Sequence, residues 1–241
     1  MLDEFGSEDK NDYIAGFPPH PHRGIETVTY MLKGKFQHQD STGAKGIMSS
    51  GDVQWMKTGR GIIHSEMPAM TGGQLLGFQL WINMPANLKN NKPEYLYIKE
   101  KDLGVYNEDG LKIKVIAGKY KEAEGPEKNH NVEPTYFHII LNKKKQFRYQ
   151  VPNYHNSFIY LLKGDLKVGN NKHKKTDNSQ LILLEKGNDL SVVANKNSEF
   201  LFIAGKPIGE KIARGGPFVM NTKEEINQAI RDYQNGTFAK Y

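Results

Sequence analysis

The chain has 241 residues, of which 37% are hydrophobic and 25% charged. That is enough for one large or two ordinary domains with packed cores, and it excludes a disordered chain. Cysteine is absent, which removes disulfides, thiolate catalysis and cysteine-type zinc sites together. The net charge is +6, with the basic excess in residues 119–241. No recognition helix or aromatic-interleaved basic motif accompanies it, so direct nucleic-acid binding is not expected and the lysines at 143–145 and 172–175 read as solvated hairpin turns.

The acidic start MLDEFGSEDKND has neither the basic nor the apolar segment of a secretory signal. No apolar run approaches the roughly 18 residues of a membrane span. A cytoplasmic protein without a membrane partner is the expectation. Short alternating or apolar runs follow at 25–32, 53–56, 62–66, 75–83, 95–98 and 111–117, then at 136–141, 146–151, 158–162, 181–184, 190–193 and 200–204. Gly, Asn, Asp and Pro separate them, the pattern of an all-β sandwich or barrel.

A faint repeat runs through the chain. Tyr30-Met31-Leu32-Lys33-Gly34 resembles Tyr160-Leu161-Leu162-Lys163-Gly164, and each is followed by Gly-Asp or Gly-Asn before an apolar strand. Two antiparallel β-barrels of one ancestry are the economical reading. The expected boundaries are a first barrel over 1–119, a polar linker over 120–134, a second barrel over 135–205 and a tail over 206–241. One helix is predicted in the tail, over 222–235. Thr222 and Glu225 have capping-box spacing, and Ile226, Ala229, Ile230 and Tyr233 form one apolar stripe.

The chemistry concentrates in residues 16–68, which open with GFPPHPHRGIETVTYMLKG and close with GDVQWMKTGRGIIHSEMP. His20/His22 and His64/Glu66 are pairs at i and i+2. In a strand such residues point to one face, so two such segments folded together would bring four ligand groups into one place. Pro21 removes a ladder donor and marks a strand start, edge or bulge. Parity, if no bulge intervenes, carries Glu26, Val28 and Tyr30 to the histidine face. Imidazole and carboxylate donors suit a divalent first-row metal: Fe(II), Mn(II), Ni(II), Cu(II) or Zn(II). The histidines at 130, 138, 155 and 173 are scattered without partners and read as structural, and so does His38.

These motifs, with LLGFQLWINMP and GPFVMNTKEEINQAI, resemble signatures of the pirin family, bicupins of the cupin superfamily. The resemblance covers nearly the whole chain. It implies two cupin-type (jelly-roll) barrels with one metal, usually iron, in the first. His20, His22, His64 and Glu66 would be the ligands, with Arg23, Glu26 and His38 beside them. It further implies a quercetin 2,3-dioxygenase activity with a small aromatic substrate and O₂. Glu66 would act as catalytic base for the flavonol 3-hydroxyl, or Glu26 if free. The alternative it implies is a non-enzymatic, iron-dependent regulator that binds a transcription factor or metabolic enzyme. The second barrel has only His155 in the matching region and is expected to hold no metal. Family members carry initial strands before the point matching MLDEFG, so the first barrel is expected to lack them and to leave a sheet edge unpaired.

Overall fold

A computed structural model of the chain describes residues 1–128, 130–169 and 180–240. His173 and the lysines at 172–175 therefore lie outside the described residues. The chain divides into two compact units, one formed by residues 1–101 and 208–241 and the other by residues 102–207.

The first unit begins with strand β1 (Leu2–Ser7) and a short helix α1 (Lys10–Tyr13). Strands β2 (Phe17–His22), β3 (Ile25–Lys33), β4 (Phe36–Asp40), β5 (Lys45–Met48) and β6 (Val53–Lys57) follow. Then come β7 (Ile62–Pro68), β8 (Leu75–Asn83) and β9 (Glu94–Ile98). They form a five-stranded sheet, β1-β8-β3-β6-β9, and a four-stranded sheet, β2-β7-β4-β5. Strand β1 was not expected. It pairs antiparallel with β8 along all six residues, so β1 now forms that edge of the sheet. Its acidic side chains are exposed to solvent while Leu2 and Phe5 are half-buried, which is how an edge strand carries charge without an alternating apolar signal. One end of the interior is filled by Tyr13, Met31, Phe36, Met48 and Leu75, with Phe5 against them.

The second unit contains β10 (Gly104–Glu108), β11 (Leu111–Ala117), β12 (Lys119–Tyr120), β13 (Ala123–Glu124), β14 (Thr135–Leu141) and β15 (Gln146–Gln150). It continues with β16 (Asn156–Lys163), β17 (Leu166–Val168), β18 (Gln180–Leu183), β19 (Asp189–Ala194) and β20 (Ser198–Gly205). A six-stranded sheet, β10-β11-β14-β20-β16-β18, is joined by a three-stranded one, β15-β19-β17. The boundary expected at residue 119 thus falls at 101/102, because β11 pairs with β14. The start of the stretch expected as a linker lies in the β12–β13 hairpin, over residues 119–124. Aromatic and branched side chains fill this unit, among them Phe137, Phe147, Ile159, Leu161, Val192 and Phe202.

The chain then returns to the first unit with β21 (Ala213–Gly215), β22 (Phe218–Met220) and helix α2 (Lys223–Gln234). The Thr222 hydroxyl accepts from the Glu225 amide, and the Glu225 carboxylate accepts from the Thr222 amide, completing the predicted capping box. Ile226 and Ala229 pack with Phe218, Met220 and Phe238. Ile230 and Tyr233, expected on the same buried stripe, remain at the surface. No helix among the described residues is long and apolar enough to cross a membrane.

Candidate metal centre

Three histidines meet between the two sheets of the first unit. Strand β2 pairs with β7 so that His20 lies opposite His64 and His22 opposite Ile62. Phe17 lies opposite Glu66, so two residues of β2, Pro18 and Pro19, stand against one of β7, Ser65. The bulge falls at Pro18-Pro19, on an edge strand, where missing ladder donors cost least. Ring centroids are 4.3 Å apart for His20–His64, 4.9 Å for His20–His22 and 5.1 Å for His22–His64. One ring nitrogen from each lies within 4.8 Å of the others, the one such histidine or carboxylate group found among the described residues.

The ring nitrogens favour an ion at this point. His20 Nδ1 stands 2.8 Å from the Pro18 carbonyl oxygen and His22 Nδ1 3.3 Å from that of Pro217. Each ring thereby donates its Nδ1–H and turns Nε2 to the cluster. His22 Nε2 and both nitrogens of His64 are buried with no hydrogen-bond partner. Orphaned buried polar atoms are costly, and a cation would satisfy His22 Nε2 and one nitrogen of His64 at once. Burial, and then the neighbouring His20, push the His22 ring down to about 4. Burial, followed by His20 and His22, lowers His64 well below the usual range. Both are therefore neutral near pH 7, the form that binds a metal. Three imidazoles suit iron, nickel, copper or zinc.

Glu66 faces the same interior but is held apart from that group. Thr29 Oγ1 donates to Glu66 Oε1 at 3.2 Å and Gln79 Nε2 donates to Glu66 Oε2 at 2.9 Å. Burial pushes its carboxyl above the usual range, and the bonds from Gln79 and Thr29 pull it back only in part. Gln79 is itself aligned by Trp81, whose Nε1–H donates to Gln79 Oε1 at 3.0 Å. The Trp81 ring meets His22 edge-on at 4.9 Å. Thr29, Gln79 and Trp81 are site residues that sequence reasoning missed. The signal was a polar Gln inside the apolar run LLGFQLWIN.

Two residues expected beside the candidate ligands lie elsewhere. Between β2 and β3 the chain crosses from one sheet to the other at Arg23-Gly24, with Gly24 at φ +79°. That crossing resets parity. Thr27 and Thr29 pair with Trp81 and Gln79 on the inner face, whereas Val28 pairs with Trp55 on the opposite one. Glu26 follows Val28, and its carboxylate accepts from Trp55 Nε1 at 2.6 Å. Arg23 turns to α2, 2.7 Å from Asp232 and 4.4 Å over the Phe238 ring. His38 does lie close, fully buried, with its ring 5.4 Å from that of His64. Asp40 Oδ2 is 2.7 Å from His38 Nε2, and the Gln54 amide 2.9 Å from His38 Nδ1. In the second unit His138 pairs with Glu199 and His155 lies 3.5 Å from Glu133.

Comparison with known proteins agrees with this architecture. The pirin family model matches residues 1–82, and the model of the pirin C-terminal cupin domain matches residues 136–239. A pirin-like protein of Caulobacter vibrioides is 40% identical over 240 residues, covering 99% of this chain and 86% of its own. A crystal structure of quercetin 2,3-dioxygenase from Acinetobacter baumannii superposes with a TM-score of 0.86 at 33% identity, covering 98% of this chain and 84% of its own. The bacterial pirin YhhW of Escherichia coli, crystallised with nickel(II), shares the fold at 23% identity with a TM-score of 0.66, over 86% of this chain and 81% of its own. With two cupin domains, a histidine cluster in the first and relatives matched over almost its whole length, the chain belongs to the pirin family.

Proposed function

We propose that the protein is a metal-dependent dioxygenase that opens the central ring of flavonols such as quercetin. The observation that carries this reading is the convergence of His20, His22 and His64 beside a buried carboxylate, Glu66, held by two donors. The three imidazoles would hold one divalent ion, for which we propose Fe(II). Such an ion would supply Lewis-acid polarisation of the substrate's oxygens and the redox chemistry needed for O₂.

The chain's own groups do the rest. Glu66 accepts the 3-hydroxyl proton as general base, a role that suits a carboxyl raised by burial. Gln79 and Thr29 fix which of its lone pairs remain available. Trp81 holds the edge of His22. Phe17, paired opposite Glu66, is 42% exposed and packs edge-on against Phe5 and Phe36. It offers an aromatic wall for a planar substrate. In the net reaction one O₂ is consumed, two bonds to carbon 3 break, that carbon leaves as carbon monoxide and the remainder is released as an ester.

The test is protein loaded anaerobically with Fe(II), then mixed with quercetin and air. Loss of flavonol absorbance with one carbon monoxide per quercetin is the expected result. A folded, fully metallated protein that leaves quercetin unchanged refutes the proposal.

A further inference from the structure

The strand that carries His20 and His22 is gripped by the C-terminal segment of the same unit. Arg23 bridges to Phe218 in parallel, and the Val219 amide donates to the Arg23 carbonyl at 3.0 Å. At the centre of this grip lies Lys89, only 1% exposed. Its ammonium donates to the Gly24 carbonyl, to Asn83 Oδ1 and to the Val219 carbonyl, each at 2.7 Å. All three of its N–H groups are thereby used. A buried ammonium is costly unless its protons are bonded, so the three acceptors and the lysine hold one another in place. They come from the turn after His22, the end of β8 and strand β22.

Gly24 makes the close approach possible. A Cβ there would lie 2.1 Å from the Val219 carbonyl oxygen, and its φ of +79° favours glycine. The consequence falls on His22. A ligating histidine keeps its tautomer and ring angle by donating its other N–H to a fixed acceptor. His20 has that acceptor in its own strand, at Pro18. For His22 the acceptor is the carbonyl of Pro217, two residues before Val219.

We propose that the C-terminal segment is a working part of the metal centre: Pro217 fixes the tautomer and angle of His22, and Lys89 is the positioning residue that holds 217–219 against the ligand strand. The inference rests on the reading of His20, His22 and His64 as ligands. It makes metal retention depend on contacts that no ligand substitution would disclose. The Arg23–Asp232 pair is a second anchor of the same segment, reached from α2.

The test uses the full chain loaded with Co(II), whose visible absorption reports ligand geometry. Wild type, Lys89→Met and Asp232→Asn are compared by that spectrum, by Co(II) loss into excess chelator, and by the ring ¹⁵N shifts of His22 in metal-free protein. Lys89→Met is expected to lose Co(II) about tenfold faster or more, with an altered spectrum and a mixed His22 tautomer while His20 is unchanged. Asp232→Asn shifts all three readouts in the same direction by less, and it carries the decision if Lys89→Met does not fold. A folded variant with wild-type spectrum, rate and His22 shifts overturns the role of the C-terminal segment alone. Failure of the wild type to take up Co(II) overturns the metal reading itself.

Discussion

Replacing Gln79 by Leu tests how the interior controls Glu66. Gln79 Nε2 donates to Glu66 at 2.9 Å and to Thr29 at 3.2 Å, and its Oε1 accepts from Trp81 at 3.0 Å. An indole N–H can only donate, so Trp81 fixes which end of the amide faces the carboxylate. Leu keeps the bulk of the side chain and removes all three bonds. A hydrogen bond to an ionised group contributes about 1.5–3 kcal/mol net. That energy favours the carboxylate over the acid, and its loss converts to about 10- to 150-fold. Burial already raises the Glu66 carboxyl, and losing a donor raises it further. The acid limb of the rate profile should therefore move to higher pH. Where the ionised fraction limits the rate, turnover should fall by that same factor. The assay is kcat for quercetin consumption from about pH 5 to 9, with metal content measured on each sample. A Gln79→Leu protein with full metal, an unmoved acid limb and kcat within about threefold of wild type would refute the reasoning.

Four further outcomes follow from the same geometry. Glu66→Gln can still accept from Gln79 and donate to Thr29, so it should fold normally yet lose about 10²–10⁴ in kcat; near-normal turnover by metal-replete protein removes Glu66 as the base. Glu26→Gln should leave metal content and the Co(II) spectrum unchanged at a cost of about 1 kcal/mol in stability, read by denaturant unfolding, because Trp55 can donate to an amide oxygen; loss of the metal would contradict the opposite-face placement. Glu199 is held down to about 2, first by His138 and also by Lys163, so its stabilisation is complete above the ordinary value of 4.5 and is lost as pH falls from there toward 2. The site is partly open to solvent, so the contribution is about 1–2 kcal/mol, and Glu199→Gln should flatten the melting temperature across that window; equal slopes would show the pair contributes nothing. Gly24→Ala should destabilise the protein by about 2 kcal/mol or more, measured by thermal unfolding, and an unchanged midpoint would mean the Val219 carbonyl can move aside.

The two histidine-bearing pairs were legible because period-two alternation is a local property. His20/His22 and His64/Glu66 needed only a strand to share a face. Glu26 was misplaced by the same rule, because parity holds only while the chain stays in one sheet. Arg23-Gly24 takes it from the four-stranded sheet to the five-stranded one, and no periodicity announces such a crossing. The capping box of α2 was local and was found. Strand β1 was missed because half its residues face water at an edge. Lys89 sits in the sequence LKNNK and reads as a solvated turn lysine, yet its acceptors include Val219, 130 positions away.

The division follows a physical line. The types of group that can hold a metal are written in short motifs. Their protonation state, tautomer and orientation are set by partners that only the folded chain supplies: Gln79 and Thr29 for Glu66, and Pro217 for His22. Two pirin-family chains with the same histidines can therefore differ in metal retention and rate through these partners alone. Gln79, Trp81 and Lys89 are the positions at which such differences should first appear, since each acts on a candidate ligand or base through one identified contact or chain of contacts.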